Sequence, residues 1–490
     1  MSREDEIVKE RLKKIEELRK NSINPYPNSF DKKQDVLSCS KSKISTQVKT
    51  AGRLMSKRDF GKIAFGKLRD FSGDTQVVLQ EKETPDKEIN FFKKYVDSGD
   101  IIGVEGKIIK TKTGEISILV KKITLLSKAI LPLPEKWHGI IDDEEKFRKR
   151  YLDILMNPEL KELFYKKYIF WKSIREFMQS KGFIEVETPV LENTTGGADA
   201  RPFVTHHNTL DIDVFLRISM GELWQKRLMV AGFEKTFELG RQFRNEGSSP
   251  EHLQDYTQME FYWAYANYEN GMDLVEELYK NAIKKTLGTL KFKTHGFDID
   301  LEKPWKRIDY SEEIKKKTGI DIFKATSKEI ESKIKTLKLE YEQNSEKERL
   351  IDVLWKYCRK QIGGPAFIIN QPVEVSPLAK RNPKDPRTVE RFFVLIAGSE
   401  LGNGYSELND AIDQEQRFKR QAEMRAKGDE EAQMNDEEFV EALKYGMPPT
   451  CGFGMSERVF AFILDKPIRE TQLFPLLKPL KKERPKEKKK

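Results

Sequence analysis

The hydrophobic rhythm of the chain changes at Leu131-Pro132-Leu133-Pro134. Before that punctuation, from Gln47 to Leu126, apolar residues come in short β-rich runs divided by glycine turns. Examples are Thr75-Gln76-Val77-Val78-Leu79, Ile101-Ile102-Gly103-Val104 and Ile116-Ser117-Ile118-Leu119-Val120. About five such strands over roughly eighty residues predict a small closed β-barrel. After the punctuation the rhythm is α plus β. Leu160, Leu163, Phe164, Phe170, Trp171, Ile174 and Phe177 predict the apolar side of a helix. Val214 to Ile218, Thr236 to Leu239 and the aromatic Phe261-Tyr262-Trp263-Ala264-Tyr265 predict strands. Asn435 or Asp436 predicts a cap for a helix through Tyr445, closed by Gly446 with Pro448 beyond. Ahead of the barrel, Val8, Leu12, Ile15 and Leu18 at helical spacing predict an amphipathic helix, stopped by Asn24-Pro25-Tyr26-Pro27-Asn28.

The expected fold class is α+β: an N-terminal barrel of OB type, then an α+β domain on a mainly antiparallel sheet. The expected divisions are 1–46 as a helix and lead-in, 47–130 as the barrel, 131–478 as the larger domain and 479–490 as a basic tail. No stretch reaches the roughly 18 apolar residues of a membrane span, and the charged Met1-Ser2-Arg3-Glu4-Asp5 lacks a secretory core. Cys39, Cys358 and Cys451 form no close pair, which argues against a disulfide scaffold or a zinc site. A soluble, cytoplasmic protein is expected. The net charge, 89 − 80 = +9, suits a bland surface as well as a nucleic-acid partner. The basic end Lys481 to Lys490 reads as a solvated tail, or more weakly as a phosphate attractor.

Three separated segments carry chemistry. Gly182-Phe183-Ile184-Glu185-Val186-Glu187-Thr188-Pro189 follows the Trp171 helix, and Pro189, with no N–H, requires a strand edge or end. Phe243-Arg244-Asn245-Glu246-Gly247 is a loop that leads to His252 and Tyr256-Thr257-Gln258-Met259-Glu260-Phe261-Tyr262. If strands flank the loop, Arg244 and His252 face one cleft, where an Arg fork can grip phosphate. The same residues also fit a plain hairpin with an Arg244–Glu246 surface pair. The third segment joins Glu400-Leu401-Gly402-Asn403-Gly404-Tyr405-Ser406-Glu407-Leu408 to Gly452-Phe453-Gly454-Met455-Ser456-Glu457-Arg458. Glycines this dense permit close backbone approach to a ligand, or tight turns. Arg458 opens an apolar run, Val459 to Ile463, that reads as a buried helix or strand; stacking on a flat ring is one way to occupy such an Arg.

In this order the segments resemble the three signature motifs of class II aminoacyl-tRNA synthetases, most closely those of the lysyl enzymes. The likeness extends to Leu131 through Gly139, Arg150-Tyr151-Leu152-Asp153, Gly196 through Phe203, Thr205-His206-His207-Asn208, Glu374 through Ala379 and Ser406 through Asp410. It implies ATP-dependent activation of lysine to lysyl-adenylate, then transfer of the lysyl group to tRNA. Chemistry of this kind asks for positioning and charge neutralisation rather than a nucleophile–His pair. Carried over, Arg244 would bridge the α-phosphate and the lysine carboxylate, and Glu246 would meet the adenine amino group. His252 would lie near the terminal phosphates, Tyr256 and Arg458 would sandwich the adenine, and Glu400 would hold Mg²⁺. Gly197, Glu222 and Asn403 would bind the backbone groups of lysine; Glu260, Glu407 and Tyr262 would receive its ammonium. Carboxylates suit an ammonium, whereas a pocket for aspartate needs cations. In the barrel, Phe65 would stack on an anticodon base and Gln76 hydrogen-bond to one, with Lys57 and Arg58 adding phosphate contacts. A homodimer is implied through the segment ending at Pro189.

The chain departs from the pattern at several positions. Phe393 stands where a second metal-binding glutamate is usual. Glu251 and Leu253 flank His252 in place of a basic residue and an Asn, and Lys122 replaces an anticodon-reading glutamate. The run Arg217 to Glu222 is one residue longer than expected, and the last motif one shorter. An aspartyl or asparaginyl enzyme, a paralogue acting on a protein and an inactive RNA-binding relative are the alternatives.

Overall fold

The computed structural model describes residues 2–134, 143–198, 200–247, 249–343, 345–426 and 434–480. Expectations placed on residues 135–139, on Asp199 and on the basic end 481–490 lie outside the described residues. The chain folds as two units, Met1–Met156 and Asn157–Lys490. No helix among the described residues is long and apolar enough to cross a membrane.

In the first unit, Ser2 and Asp5 form a reciprocal capping box that starts the helix Arg3–Lys20. Ile15 and Leu18 are buried as the spacing predicts, but Leu12 is exposed and Arg11 is buried in its stead. The guanidinium of Arg11 donates to the carbonyls of Ala129 at 3.0 Å, Leu131 at 2.9 Å and Ser98 at 2.9 Å. A cation with three carbonyl acceptors is a satisfied interior group. Five strands follow: β1 (Gln47–Asp59), β2 (Ile63–Arg69), β3 (Asp74–Gln80), β4 (Ile101–Lys110) and β5 (Ile116–Ser127). They close as β1-β2-β3-β5-β4, with β4 returning to β1 and the β3–β5 pair parallel. Strict alternation along Ile63–Arg69 sends Ala64, Gly66 and Leu68 inward and leaves Phe65 on the outer face. The helix Asp86–Tyr95 drives Phe92 into the barrel core. Lys57 sits at its C-terminal end and donates to the carbonyls of Phe92, Lys93 and Val96 at 2.8, 2.9 and 2.8 Å. The expectation of a phosphate contact from Lys57 is therefore corrected: its ammonium is spent on orphaned helix carbonyls, where a cation also opposes the helix dipole.

The second unit is built on an eight-stranded sheet. In chain order its elements are β6 (Ile184–Glu185), a small three-stranded sheet of β7 (Leu191–Glu192), β8 (Val204–His207) and β9 (Ile212–Leu216), then β10 (Lys235–Phe243) and β11 (Asp255–Ala264). A hairpin, β12 (Lys291–Thr294) and β13 (Phe297–Asp300), precedes β14 (Lys306–Asp309), β15 (Ala366–Ile369), β16 (Arg391–Ile396), β17 (Ser399–Ser406) and β18 (Thr450–Ser456). The large sheet runs β14-β15-β16-β17-β18-β11-β10-β6, parallel at its two outer pairs and antiparallel between. The edge strand β6 ends before Pro189, as a residue without an N–H requires.

The helices Pro158–Ser180 and Tyr268–Leu287 cover one face with Phe170, Ile174, Met178, Leu278 and Tyr279, packed on Phe237, Phe261, Phe392 and Phe453. With that face sealed by apolar side chains, period-2 alternation sends the polar residues of the same strands to the other face. On β11, Met259 and Phe261 enter the core while Gln258, Glu260 and Tyr262 line a cavity.

Candidate active site

The cavity, about 410 Å³, opens on the uncovered face of β11, β18, β17 and β16. Its floor is the central strand β18, whose Gly452 lies across from Tyr262 on one side and Tyr405 on the other. Gly454 likewise lies between Glu260 and Asn403. A Cβ at Gly452 would stand 2.1 Å from Glu407 Oε1 and 2.7 Å from Tyr262 Cε1. These glycines are thus present for close approach, leaving a slot between two polar strands.

Strict alternation along β17 would put Glu400 and Asn403, three residues apart, on opposite faces. The pairing with β16 shifts there: Val394 faces Gly402 and Leu395 faces Glu400. Leu401 is left as the extra residue of a bulge, and both polar side chains reach the cavity. Trp355 Nε1 donates to Glu400 Oε1, and Arg391 Nε donates to Asn403 Oδ1 at 2.9 Å. The latter bond fixes which way the Asn403 amide points and leaves its NH₂ for the cavity.

One end of the cavity is acidic and dry. Glu222, Glu260 and Glu407 are 4%, 5% and 1% exposed, against one buried cation among the described residues there, Lys226. Lys226 Nζ lies 2.7 Å from Glu222 Oε1 and 2.6 Å from Glu407 Oε2. The Tyr405 hydroxyl donates to Glu222. Glu260 accepts from Met220 N at 3.0 Å and the Tyr262 hydroxyl at 3.0 Å, and from the amide of Gln258. Burial, then the charge of Glu222, pushes Glu260 up to about 7. Burial pushes Glu407 up to about 8 against the pull of Lys226. Lys226 itself is raised, because the two carboxylates outweigh its desolvation. Three acids facing one ammonium leave a surplus of negative charge that the interior relieves by holding protons.

Gly197, at φ +86°, brings the Gly196–Ala198 turn against Glu222, and the Ser219 hydroxyl secures it by donating to Gly196 O at 3.0 Å. The longer run before Glu222 ends in Gly221, whose left-handed φ of +66° starts the helix Glu222–Val230. A Cβ at Gly221 would strike the Thr188 hydroxyl, so the chain turns there in contact with the first motif.

At the other end, Arg244 leaves β10 with its guanidinium 5.8 Å from the Tyr256 ring centre and Nε bonded to Ile218 O at 3.4 Å. The loop does close the antiparallel hairpin of β10 and β11, but among the described residues no ion pair joins Arg244 to Glu246. Glu246 is exposed. His252 bonds Ser249 Oγ at 2.8 Å, and partial burial, then Arg458, lowers its pKa from the ordinary value. Arg458 opens the helix Arg458–Ile463 and donates to Glu400 O at 3.2 Å and to Glu251. The preceding Glu457 is fully buried, paired with Lys167, and accepts from Thr257 N at 3.1 Å, which anchors the start of that helix. In the barrel unit, Arg58 pairs across strands with Phe65, and Gln76 bonds Glu115 at 2.9 Å and Ser117 at 2.9 Å. All three stand on the outer face of β1, β2 and β3.

Two family models match the chain: class II tRNA synthetases (D, K and N) over residues 142–478, and the OB-fold nucleic acid binding domain over residues 48–126. A lysine–tRNA ligase of Thermotoga maritima is 47% identical over 97% of both chains. Those of Thermosipho africanus and Carboxydothermus hydrogenoformans are 45% and 44% identical over 97% of this chain and 96% and 98% of theirs. The chain belongs to the lysine–tRNA ligases, within class II. It is therefore a ligase with an N-terminal OB-fold and a class II synthetase domain on a mostly antiparallel sheet.

Measured against a lysine–tRNA ligase, the sequence left out four groups that the fold brings to the site. Lys226, four residues after Glu222, reads as an ordinary surface i,i+4 pair. Arg391 and Trp355 lie outside the three motifs and reach Asn403 and Glu400 only through strand pairing and the helix Lys347–Arg359. Glu251 is visible as a departure, but its partner Arg458 is 207 residues away.

Two outcomes are expected. Gly452→Ala should cut ligase activity at least about a hundredfold, because ångström-scale displacement of Glu407 and Tyr262 is costly, with an unchanged circular-dichroism spectrum. Glu407 binds a proton more tightly folded than unfolded, so stability falls as pH rises from its ordinary value of 4.5 through about 8. Glu407→Gln should therefore melt close to wild type near pH 4.5 and lose less stability than wild type on going to about pH 9. A parallel decline in both proteins would refute it.

Proposed function

We propose that the cavity binds lysine and ATP together, forms lysyl-adenylate, and passes the lysyl group to the 3′ end of tRNA(Lys). The surplus of buried carboxylates carries this reading. An amino acid whose side chain ends in an ammonium restores Glu260 and Glu407 to their charged forms, while aspartate would add to the repulsion. Tyr262 would share the ammonium with them. Glu222 and the Gly197 turn would hold the α-amino group, and the free NH₂ of Asn403 would meet the lysine carboxylate.

In the first step a carboxylate oxygen of lysine attacks the α-phosphorus and the bond to pyrophosphate breaks. Arg244 would touch both reacting groups, positioning them and drawing off charge as it develops. His252 would lie at the terminal phosphates, Glu246 would accept from the adenine amino group, and Tyr256 and Arg458 would enclose the ring. Glu400 would hold Mg²⁺; a carboxylate, with phosphate oxygens and water completing the shell, is a fitting donor set for this ion. Bound there, the metal supplies charge neutralisation on the phosphates. In the second step a terminal ribose hydroxyl of tRNA attacks the carbonyl and AMP leaves.

The exposed Arg58 and the half-buried Phe65 and Gln76 would contact the anticodon, by backbone charge, base stacking and base-edge hydrogen bonding respectively. A cytoplasmic homodimer is proposed as well: Ile184, Val190, Leu191 and Val204, 55%, 42%, 50% and 59% exposed, leave apolar surface beside the edge strand β6.

ATP–pyrophosphate exchange should depend on lysine, and Arg244→Ala should abolish it without unfolding the protein. Exchange driven by aspartate or asparagine would sink the substrate assignment. Phe65→Ala should raise KM for tRNA(Lys) about tenfold, from loss of one base stack, in an aminoacylation assay; an unchanged KM would remove Phe65 from the interface.

A further inference from the structure

Lys226 is the one cation among the described residues at the acidic end of the cavity, and it is 1% exposed. It comes from the first turns of the helix Glu222–Val230, on the same side as Glu222 one turn back, so a single rigid element presents both charges. Its ammonium bridges Glu222 at 2.7 Å and Glu407 at 2.6 Å. The rings of Tyr405, Phe439 and Tyr262 lie 5.4, 5.9 and 6.0 Å away. They keep water out and stabilise the cation further. The titratable groups around it are Glu222 on its own helix, Tyr262 and Glu260 on β11, Tyr405 and Glu407 on and after β17, and Cys451 on β18. The helix Glu437–Lys444 contributes the uncharged Phe439.

We infer that Lys226 is a specificity-determining residue: a fixed counter-ion that sets the charge of the slot to match an amino acid carrying two ammonium groups. This rests on the lysine reading given above and extends it. With all three carboxylates ionised, the state that bound lysine draws them into, three carboxylates and one ammonium give a net charge of two negatives. Free lysine brings an α-ammonium, toward Glu222, and an ε-ammonium, toward Glu260 and Glu407, while its own carboxylate faces Arg244 outside the cage. With both ammonium groups seated, every charge in the cage is paired. Lys226 also ties together the two carboxylates that serve opposite ends of the substrate, so the slot length is fixed before binding.

Without Lys226 the cage would hold three carboxylates and nothing to oppose them. Their protons would be held more tightly, and lysine would have to displace more of them on entering. The lysine ε-ammonium is charged throughout the relevant range, its ordinary pKa being about 10.4. A lost counter-ion is therefore read as a shift of the acid limb.

The test is lysine-dependent pyrophosphate exchange by the full-length wild type, Lys226→Met and Lys226→Arg, from about pH 6 to about pH 9.5. In Lys226→Met the acid limb of kcat/KM for lysine should move up by about one pH unit or more, a loss of tenfold or greater at the acid end that narrows as pH rises. Lys226→Arg keeps the charge and should keep the wild-type limb, whatever it loses in affinity. Calorimetric titration with lysine in buffers of different ionisation enthalpy should show more protons released by Lys226→Met than by wild type. An acid limb common to all three proteins, with activity lost equally at every pH, makes Lys226 a packing residue and overturns the inference. If Lys226→Met does not fold, wild-type calorimetry decides: no net proton release on lysine binding near neutral pH also overturns it. Absence of lysine-dependent exchange in wild type at any pH would instead defeat the functional reading beneath it.

Discussion

Three glutamates held dry around one lysine constrain the rest of the larger unit. Ionised carboxylates leave water at a cost of several kcal/mol each, and an interior that gathers more acids than bases is strained until something positive enters. Such a cluster persists only if its surroundings are over-determined. Here the opposite face of the same strands is sealed by Phe237, Phe261, Phe392 and Phe453 beneath two long helices. Slipping β11 by one residue would bury Glu260 in that aromatic layer and expose Met259 and Phe261 to the cavity. The register of the sheet and the charge of the pocket are one constraint.

The backbone does the rest of the placing. Two glycines of β18 leave the slot between β11 and β17, and one bulged residue, Leu401, turns Glu400 and Asn403 to the same side. Neither device supplies a functional atom. Each decides which functional atoms converge: the bulge brings the carboxylate and the amide to one wall, and the glycine floor lets Glu407 approach Tyr262. A Cβ at Gly452 would stand 2.1 Å from the Glu407 carboxylate and 2.7 Å from the Tyr262 ring, so both groups would have to shift.

Much of this was legible in the sequence, for physical reasons that differ by element. The barrel could be read because alternation over short strands leaves little choice of face, as Ile63–Arg69 illustrates. The helix from Asp436, its Gly446 stop and the edge position of the Pro189 segment followed from backbone chemistry. The residues of the cavity followed from motif order. What stayed hidden depends on distant pairing. Arg11 and Leu12 exchange faces because three carbonyls from another part of the unit await Arg11. Lys57 is drawn to the end of the helix Asp86–Tyr95, which the local pattern around Lys57 does not announce. Lys226 and Arg391 carry charge at spacings that, in one dimension, read as surface.

Arg391 also bears on Phe393, which departs from the expected motif pattern. Its guanidinium lies 4.5 Å from the Phe393 ring and donates to Asn403, Val375 O and Ser376 Oγ at 2.9, 2.8 and 2.9 Å. The ring and these acceptors fill that corner, so it serves to orient Asn403; on the proposed reading Glu400 would then be the carboxylate left to hold Mg²⁺. A parallel arrangement holds at Arg458. Its edges are taken by Glu251 and the Glu400 carbonyl, but a guanidinium is planar, and hydrogen bonds along its rim leave both flat faces available. Stacking on an adenine uses a face. The pairing with Glu251 thus engages Arg458 by its rim, and on the proposed reading, in which Arg458 would stack on the adenine, an acidic residue in that loop is compatible with ATP binding there.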